Sequence, residues 1–417
     1  MFKISAKKNV LMNIIHLYGF NIAKILFPLV TLPYLARILS VDAYGVVSYV
    51  RSVMVYMQLA VDFGFMLSAT KDIVDAGDDR DKISSVTATV LLARILLAAV
   101  AFAVLILLVF VIPILSGYKL YTLLSFVPVF LSVFLFDFVF KGLEKMHIIS
   151  TRFILMKSIA LVLTFVLIKD DSGLLWIPVL DIIGSAFAVA LVLFQLKKQG
   201  ITLNFKKAND VFGSIGRSFN YFISNLATTA FNAFNTVVIG IVLTAAEVAY
   251  WGVCMQMVGG IQALYNPVID GVYPDMVRTK DLRQIYRVAG IFMPVIAVGC
   301  IFTWFFAGLG LRIVGGEDYI PADFLLKLLI PVLFFGFPAM LFGWPALGAI
   351  EKPKSVAITT VSAAVLQVAG VFVLIITGSF NLKSVAIMRG FTEVYLFLSR
   401  FILTQKYKRL FNKTSKE

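Results

Sequence analysis

The feature that most constrains this chain is a series of long apolar runs separated by short polar hinges. The hydrocarbon core of a bilayer is about 30 Å thick, so a helix needs about 20 apolar residues to cross it. Within that core every backbone N–H and C=O must be paired inside the protein, which leaves helices and closed barrels as spanning structures. The runs are too hydrophobic for barrel strands, which alternate apolar with polar residues. The sequence therefore predicts an all-α membrane protein.

Twelve candidate spans can be placed along the 417 residues. The composition agrees with this interpretation, because 60% of the residues are hydrophobic and only 14% are charged, against about 25% charged in soluble domains. The predicted spans are 12–35, 46–66, 87–115, 120–141, 152–168, 174–196, 217–243, 247–269, 287–308, 323–347, 355–378 and 382–403.

The distribution of lysine and arginine predicts the orientation of the chain. These residues concentrate in alternate loops, and cytoplasmic loops hold the excess in membrane proteins. We therefore expect both termini in the cytoplasm. Lys3, Lys7 and Lys8 precede the first span, but that span is too long for a signal peptide and lacks a small-residue cleavage site. The same loops account for most of the formal net charge of +14, so contact with anionic headgroups explains the charge without nucleic acid.

The most polar internal connection, residues 197–210, divides the spans six and six. A local pattern recurs in the two halves, with DAYG starting at Asp42 and EVAYWG starting at Glu247. This arrangement predicts two homologous six-helix lobes around a central cavity, related by an axis along the membrane normal. The predicted divisions are an N-terminal lobe (1–200), a cytoplasmic connecting loop (201–216), a C-terminal lobe (217–403) and a basic cytoplasmic tail (404–417).

Polar side chains within the first two spans indicate a cavity. At helical periodicity Arg51, Gln58 and Asp62 fall on one face of the second span, and Asn21 and Lys24 share a face of the first. A lysine near the middle of a membrane costs about 2.5 to 3.5 kcal/mol unless it is solvated or paired. We therefore expect these residues to line a wet, cationic site.

Polar positions in two later spans carry two interpretations each. Asn225 and Asn232 align on one side of the seventh span, where amides either line a cavity or join helices by hydrogen bonds. In the twelfth span Arg389 and Glu393 stand at i,i+4 spacing, so Arg389 either lines the cavity or forms a structural pair with Glu393. Asp62 and Glu393 are the candidates for ion coupling.

The sequence offers little for metal, redox or nucleotide chemistry. The two cysteines, Cys254 and Cys300, lie within apolar runs, and the histidines His16 and His147 are isolated, so neither a metal site nor a disulfide framework is expected. The chain has no GxxxxGK[ST] loop for ATP. We expect no cofactor, and an H⁺ or Na⁺ gradient is the candidate energy source.

The hinge LPYLARILSVDAYG, from Leu32 to Gly45, followed by Asp62-Phe63-Gly64, resembles the opening signature of bacterial polysaccharide flippases of the Wzx type. RIVGGEDY, from Arg312, and ALGAIEKPK, from Ala346, look like the loop before the tenth helix of that family and the turn after it. The resemblance covers essentially the whole chain in length, span count and motif order. Ser40 stands where the family more often has glycine. The family belongs with lipid II flippases and multidrug and toxin extruders in one superfamily.

The resemblance implies a function. Such a flippase moves undecaprenyl-diphosphate-linked oligosaccharide from the inner to the outer leaflet of the bacterial cytoplasmic membrane, for O-antigen, capsule or exopolysaccharide synthesis. By resemblance Lys24 and Arg51 are the leading contacts for phosphate or sugar, in a cavity that works by alternating access. The implied partners are membrane lipids and a polymerase and chain-length regulator of the same pathway.

Two alternatives come from other classes. A cation-coupled drug extruder would need acidic residues deep in its cavity, whereas cations dominate the candidate positions here. A membrane enzyme, such as a polymerase or acyltransferase, usually needs a large outer loop or an inward-facing catalytic pair, whereas every predicted outer loop of this chain is short. The sequence therefore predicts a transporter and not an enzyme.

Overall fold

The computed structural model describes the backbone of residues 2–203 and 210–411, and the side chains of residues 19, 20, 22–203, 210–229 and 233–411. Within these ranges the chain is helical almost throughout and contains no strand, as the hydropathy predicts. Eight helical segments of the described chain are long and apolar enough to cross a membrane. The chain is thus a multi-pass membrane protein, and the count of twelve spans stays a prediction.

The chain divides into two compact units, residues 1–226 and 227–417, and the division falls within one helix, α10. The helices that begin in the first unit are α1 (Phe2–Ile38), α2 (Val41–Asp62), α3 (Phe65–Ala76), α4 (Arg80–Val111), α5 (Pro113–Gly117), α6 (Lys119–Leu131), α7 (Asp137–Gly142), α8 (Met146–Leu167), α9 (Trp176–Lys198) and α10 (Val211–Val242). Those of the second unit are α11 (Ala245–Ala263), α12 (Asn266–Thr279), α13 (Leu282–Gly315), α14 (Asp323–Leu328), α15 (Ile330–Leu341), α16 (Pro353–Ile376) and α17 (Leu382–Lys406).

The repeated sequence pattern marks equivalent helix starts. Ser40 caps α2 by accepting a hydrogen bond from the N–H of Ala43 at 3.2 Å. Thr244 caps α11 through a capping box with Glu247, in which each side chain accepts from the backbone N–H of the other residue. Both motifs satisfy N–H groups that a helix start leaves unpaired. The pattern that begins at Asp42 and at Glu247 is therefore a helix N-terminus in both units.

The order of elements after these caps also repeats. Helices α2, α3 and α4 have 22, 12 and 32 residues, and α11, α12 and α13 have 19, 14 and 34. Asp79 caps α4 and Asp281 caps α13, each with its carboxylate accepting from a backbone N–H two residues on. The stretch from α2 to α4 thus has the same order of helix lengths as the stretch from α11 to α13.

Two helix breaks in the first unit place a phenylalanine in the left-handed region. Phe63 (φ 40°) ends α2 and is followed by Gly64 (φ 82°). Phe136 (φ 46°) separates α7 from a 3₁₀ turn, Ser132–Leu135, that continues α6. A positive φ is uncommon for a residue other than glycine. The chain therefore turns at defined points inside two of its membrane-crossing segments.

Gly64 is required at the first break for two reasons. Its positive φ is open to glycine without steric cost, and the start of α10 lies against it. A Cβ at Gly64 would lie 2.6 Å from the Cβ of Tyr221 and 3.0 Å from the backbone N of Phe222. The ring of Phe63 stacks on that of Phe222 with centroids 4.4 Å apart. The break is thus packed tightly against α10.

In the second unit, α15, α16 and α17 pack together around buried apolar side chains. The helix α15 runs into a π-helical segment, Phe342–Gly348, in which Gly343 leaves helical geometry (φ −77°, ψ −110°). Pro345 has no N–H to donate within that segment. The buried guanidinium of Arg400 donates from Nη1 to the carbonyl of Ala339 at 2.7 Å and so supplies a donor where the regular helix ends.

We predict that Gly64→Ala lowers the free energy of unfolding by about 1 to 3 kcal/mol, because the new methyl group adds a steric clash to an unfavourable φ. Thermal unfolding in detergent measures the change. The matched control is Gly290→Ala, since Gly290 lies within α13 and has open space around its Cα. Equal unfolding temperatures for the two variants would contradict the close approach at Gly64.

Candidate functional site

A cavity of about 1000 Å³ lies within the first unit. Residues of α1, α2, α3, α4, α6, α7, α8 and α9 form its wall. Near α6 and α9 the wall is closed by buried side chains such as Tyr121 and Ile177. Near α7 it includes exposed side chains such as Lys141 and Glu144. The cavity therefore opens towards the end formed by α3 and α7.

Ten charged side chains line this cavity, six basic and four acidic, which gives a net formal charge of +2. A charge at membrane depth must face water or a partner, so this part of the unit has to be hydrated. The basic residues are Lys24, Arg51, Arg94, Lys141, Arg152 and Lys157, and the acidic ones are Asp62, Asp137, Glu144 and Asp181.

Three of the carboxylates hold a cation from a neighbouring helix. Asp62 is 2.6 Å from Nη2 of Arg94 on α4. Asp137 accepts from Nη2 of Arg152 on α8 at 2.9 Å, through both of its oxygens. Asp181 on α9 is 3.1 Å from Nζ of Lys157 on α8, and the two side chains are each 35% exposed. These pairs cancel part of the positive charge and join helices around the cavity.

Lys24 and Arg51 have no carboxylate within ion-pair distance among the residues that the structure describes. Both side chains are exposed, and both line the cavity. At 1.5 Å per residue, Lys24 is about 21 Å from the end of α1 and Arg51 about 15 Å from the start of α2. Both cations therefore lie about 15 Å or more from the hinge that joins α1 to α2. The Nζ of Lys24 lies over the ring of Phe20, 4.2 Å from its centroid.

Of the other predicted site residues, some line the cavity and some do not. Gln58 lines the cavity and donates to the hydroxyl of Ser132 at 2.9 Å, and Asp62 lines it beside Arg94. Asn225 is an exposed residue of α10 outside the cavity wall. The side chains of Asn21 and Asn232 lie outside the described residues. The binding role of all these residues stays a prediction.

Arg389 and Glu393 lie in the second unit and form a buried ion pair at 2.6 Å, with side chains 3% and 6% exposed. This is the pair that their helical spacing predicts. Gln367 lies nearby in a buried chain of hydrogen bonds, donating to Asn235 at 3.0 Å and accepting from Thr392 at 2.7 Å. The arrangement favours the structural interpretation of Arg389 over a cavity-lining one.

Sequence reasoning did not assign Arg94, Arg152 or Lys157 to the site. The span predicted at 152–168 places Arg152 at a helix end, whereas α8 begins at Met146 and buries Arg152. A charge within an apolar run was the available signal for Lys157. The partner of each cation is on another helix, and the sequence alone does not give that pairing.

The cavity suits the binding of an anion by charge and hydrogen bonding. Free guanidinium and ammonium groups provide donors that match phosphate and carboxylate oxygens. Among the described residues no group of three or more histidine, cysteine or acidic side chains is arranged to hold a metal ion. The chemistry available to the wall is therefore recognition of a charged, polar ligand.

Comparison with known proteins relates the chain to surface-polysaccharide transport. The sequence model of the family described as "Polysaccharide biosynthesis protein" matches residues 10–280. A curated relative from Escherichia coli strain K12, provisionally named an O-antigen transporter, is 24% identical over 350 residues, which cover 80% of this chain and 81% of that protein. A protein from Shigella dysenteriae with the same provisional name is 25% identical over 342 residues, 78% of this chain and 83% of its own.

Solved structures show the same fold. The lipid II flippase MurJ, in an inward closed conformation, matches with a TM-score of 0.72 at 13% identity, over 95% of this chain and 87% of its own. A multidrug resistance MATE family transporter of the MOP superfamily, in an inward-facing conformation, matches with a TM-score of 0.69 at 12% identity, over 94% and 99%. The all-α transporter fold predicted from the sequence is thereby confirmed.

We predict that Arg389→Leu destabilises the protein by about 3 to 5 kcal/mol, because it leaves Glu393 charged and buried without a partner. The double variant Arg389→Leu/Glu393→Leu should regain most of that stability, since it removes both charges. Thermal unfolding and abundance in the membrane measure the effect. Arg312→Leu is the control, because its pair with Glu317 is exposed and such pairs contribute little. A stable Arg389→Leu protein that fails to transport would instead place Arg389 in the binding site.

Proposed function

Because the chain belongs to the polysaccharide biosynthesis protein family, we propose that it is a flippase for lipid-linked oligosaccharide. The substrate we propose is an undecaprenyl-diphosphate-linked repeat unit that is carried across the bacterial cytoplasmic membrane for O-antigen, capsule or exopolysaccharide synthesis. The transporter names of its relatives support transport and not catalysis.

The observation that carries this proposal is that two basic side chains of the cavity have no acidic partner among the described residues. A diphosphate brings negative charges, and acidic sugars bring more. Arg51 and Lys24 supply exposed positive charge within the cavity, without a carboxylate partner among the described residues. In such a site, partly shielded from water, charge-assisted hydrogen bonds are stronger than at an open surface. These two residues are the proposed contacts of the diphosphate or of an acidic sugar.

The remainder of the cavity fits a glycan. Gln58, Ser132 and the half-exposed Lys157–Asp181 pair provide donors and acceptors for hydroxyl groups. The polyprenyl tail has no need of the cavity, because it is as apolar as the lipid outside. We propose that the polar head crosses in the cavity by alternating access while the tail stays in the bilayer.

The alternative of a drug extruder fits this cavity less well. A cationic drug needs a free carboxylate, but Asp62, Asp137 and Asp181 each hold a basic side chain. The surplus charge in the cavity is positive, six basic against four acidic side chains. The likeness to a multidrug transporter concerns the fold alone, at 12% identity.

We further propose that an H⁺ or Na⁺ gradient drives the transport, with Asp62 as the coupling carboxylate because it faces the cavity and is 45% exposed. Glu393, the second candidate, is 6% exposed and paired with Arg389, so a structural role explains it. The proposed location is the bacterial cytoplasmic membrane with both termini inside, and the proposed partners are a polymerase and a chain-length regulator.

We predict that Arg51→Gln and Lys24→Gln each reduce surface polysaccharide at least about tenfold in a strain whose only copy is the variant. A tenfold loss corresponds to about 1.4 kcal/mol, and a hydrogen bond to a charged group contributes about 1.5 to 3 kcal/mol, so the loss of one such bond accounts for at least that reduction. Surface glycan is measured together with the amount of the protein in the membrane. Arg51→Lys and Lys24→Arg, which keep the charge, should retain more export than the glutamine variants.

Arg217→Gln is the matched control, because Arg217 is 57% exposed and pairs with Asp210 outside the cavity wall. Normal export by both glutamine variants would remove Arg51 and Lys24 from the proposed site. Normal surface glycan in a strain that lacks the chain would overturn the flippase proposal itself.

We predict that export stops when the driving gradient is collapsed, and that the two candidate ions can be separated. A protonophore at constant sodium tests H⁺, and replacement of sodium by potassium at constant pH tests Na⁺. Asp62→Asn should abolish the dependence on that ion by removing the coupling charge. Export that continues unchanged under both treatments would contradict ion coupling. An ion dependence that is unchanged in Asp62→Asn would exclude Asp62 as the coupling residue.

A further inference from the structure

The two helix breaks of the first unit have the same local arrangement, a left-handed phenylalanine next to an aspartate that is paired with an arginine. At the first break Asp62 directly precedes Phe63, and at the second Asp137 directly follows Phe136. Both phenylalanines are in the left-handed conformation. Each neighbouring carboxylate is held by a buried arginine from an adjacent helix, Asp62 by one on α4 and Asp137 by one on α8.

Arg94 connects the two breaks to one another. Its Nη2 donates to Asp62 at 2.6 Å, one residue before the first turn. Its Nη1 donates to the carbonyl of Val133 at 3.3 Å, three residues before the second. The side chain is 8% exposed, and its Nε is buried without an acceptor among the residues that the structure describes. A single guanidinium from α4 therefore holds both turning points, at the cost of one unsatisfied donor.

The two segments beyond the breaks, α3 and α7, form one body. Gly142 of α7 packs so closely on α3 that a Cβ there would lie 2.6 Å from Cγ2 of Ile73. The hydroxyl of Thr70 on α3 also donates to the carbonyl of Phe138 on α7 at 3.4 Å. Both segments line the cavity, α3 through Phe65 and Met66. This body, called here the α3–α7 pair, forms the open end of the cavity.

We propose that the α3–α7 pair is a gate hinged at Phe63-Gly64 and at Phe136, and that Arg94 is the positioning residue that latches it in the observed arrangement. The latch lies in the cavity wall, since Asp62 is 45% exposed there. An anion in the cavity therefore competes with Asp62 for Arg94. Occupation of the site and release of the gate are linked through one ion pair.

The gate is also in contact with α10. The break at Gly64 packs on Tyr221 and Phe222, and Ser68 of α3 lies 2.6 Å, oxygen to oxygen, from Ser218 of α10. The helix α10 continues past Leu226 into the second unit. A movement of the α3–α7 pair would therefore change the contacts at the start of α10, the helix that joins the two units.

The test is a distance measurement between spin labels on the full chain in lipid nanodiscs. Labels are attached at Asp75→Cys on α3 and Lys198→Cys on α9, both exposed positions, after Cys254 and Cys300 are replaced by alanine. A reference pair, Lys82→Cys with Lys198→Cys, reports on helices outside the gate. We expect Arg94→Gln and Asp62→Asn to add a second distance, displaced by about 5 Å or more, in the gate pair only.

The double variant Asp62→Asn/Arg94→Gln should shift the distance no further than Arg94→Gln alone, because Arg94→Gln already removes the bond to Asp62 together with the bond to Val133. Arg217→Gln, which breaks an exposed ion pair of the same unit, should leave the distances unchanged. The half-exposed Asp62 makes Asp62→Asn the deciding variant if Arg94→Gln fails to reach the membrane. Unchanged distances in Asp62→Asn, or additive shifts in the double variant, would overturn the latch.

The role of the gate rests on the proposed function, but the distance readout needs no substrate. Unchanged distances in a chain that is required for glycan export would overturn the latch alone. Shifted distances in a chain whose deletion leaves export normal would overturn the proposed function alone.

Discussion

The structure depends on one constraint, which is that a charge placed inside a membrane-crossing segment must meet water or an opposite charge. The first unit meets it with a cavity, in which three carboxylates hold three cations and Arg51 and Lys24 are left exposed. The described part of the second unit meets it by burial, with Arg389 and Glu393 each less than a tenth exposed. The charged residues of the two units therefore have different environments, although α2 to α4 and α11 to α13 follow the same order of helix lengths.

The difference gives each set of charges a distinct consequence. A buried pair contributes little net stability, but the loss of one partner is costly, so Arg389 and Glu393 depend on one another within α17. Arg400 connects α17 to its neighbours, because it donates to the carbonyl of Ala339 on α15 and to the hydroxyls of Thr359 and Thr360 on α16. The pairs in the cavity wall are partly solvated, since Asp62 is 45% and Asp181 35% exposed. The Arg94–Asp62 and Arg152–Asp137 pairs lie at helix breaks, so the same ion pairs that neutralise the cavity also hold its geometry.

Much of the fold could be predicted from the sequence because hydropathy and helical period act within one segment. Hydropathy predicts the helical membrane class. The helical period predicts the face shared by Arg51, Gln58 and Asp62 and the spacing that lets Arg389 and Glu393 pair. Contacts between segments could not be predicted, since nothing local to Arg94 specifies Asp62 or Val133 as its partners. The left-handed phenylalanines were also beyond prediction, because a residue with a Cβ enters that region only where tertiary packing holds it there.

The most direct test of the account is to measure the movement of lipid-linked oligosaccharide between leaflets in liposomes containing only the purified chain, with proton and sodium gradients imposed in turn. A membrane-impermeant glycosidase added outside reports the fraction of glycan that has become accessible. The account predicts that the protected inner-leaflet pool is consumed when the chain is present, and that Arg51→Gln slows this loss. A protected pool that stays the same with and without the chain, under both gradients, would contradict it.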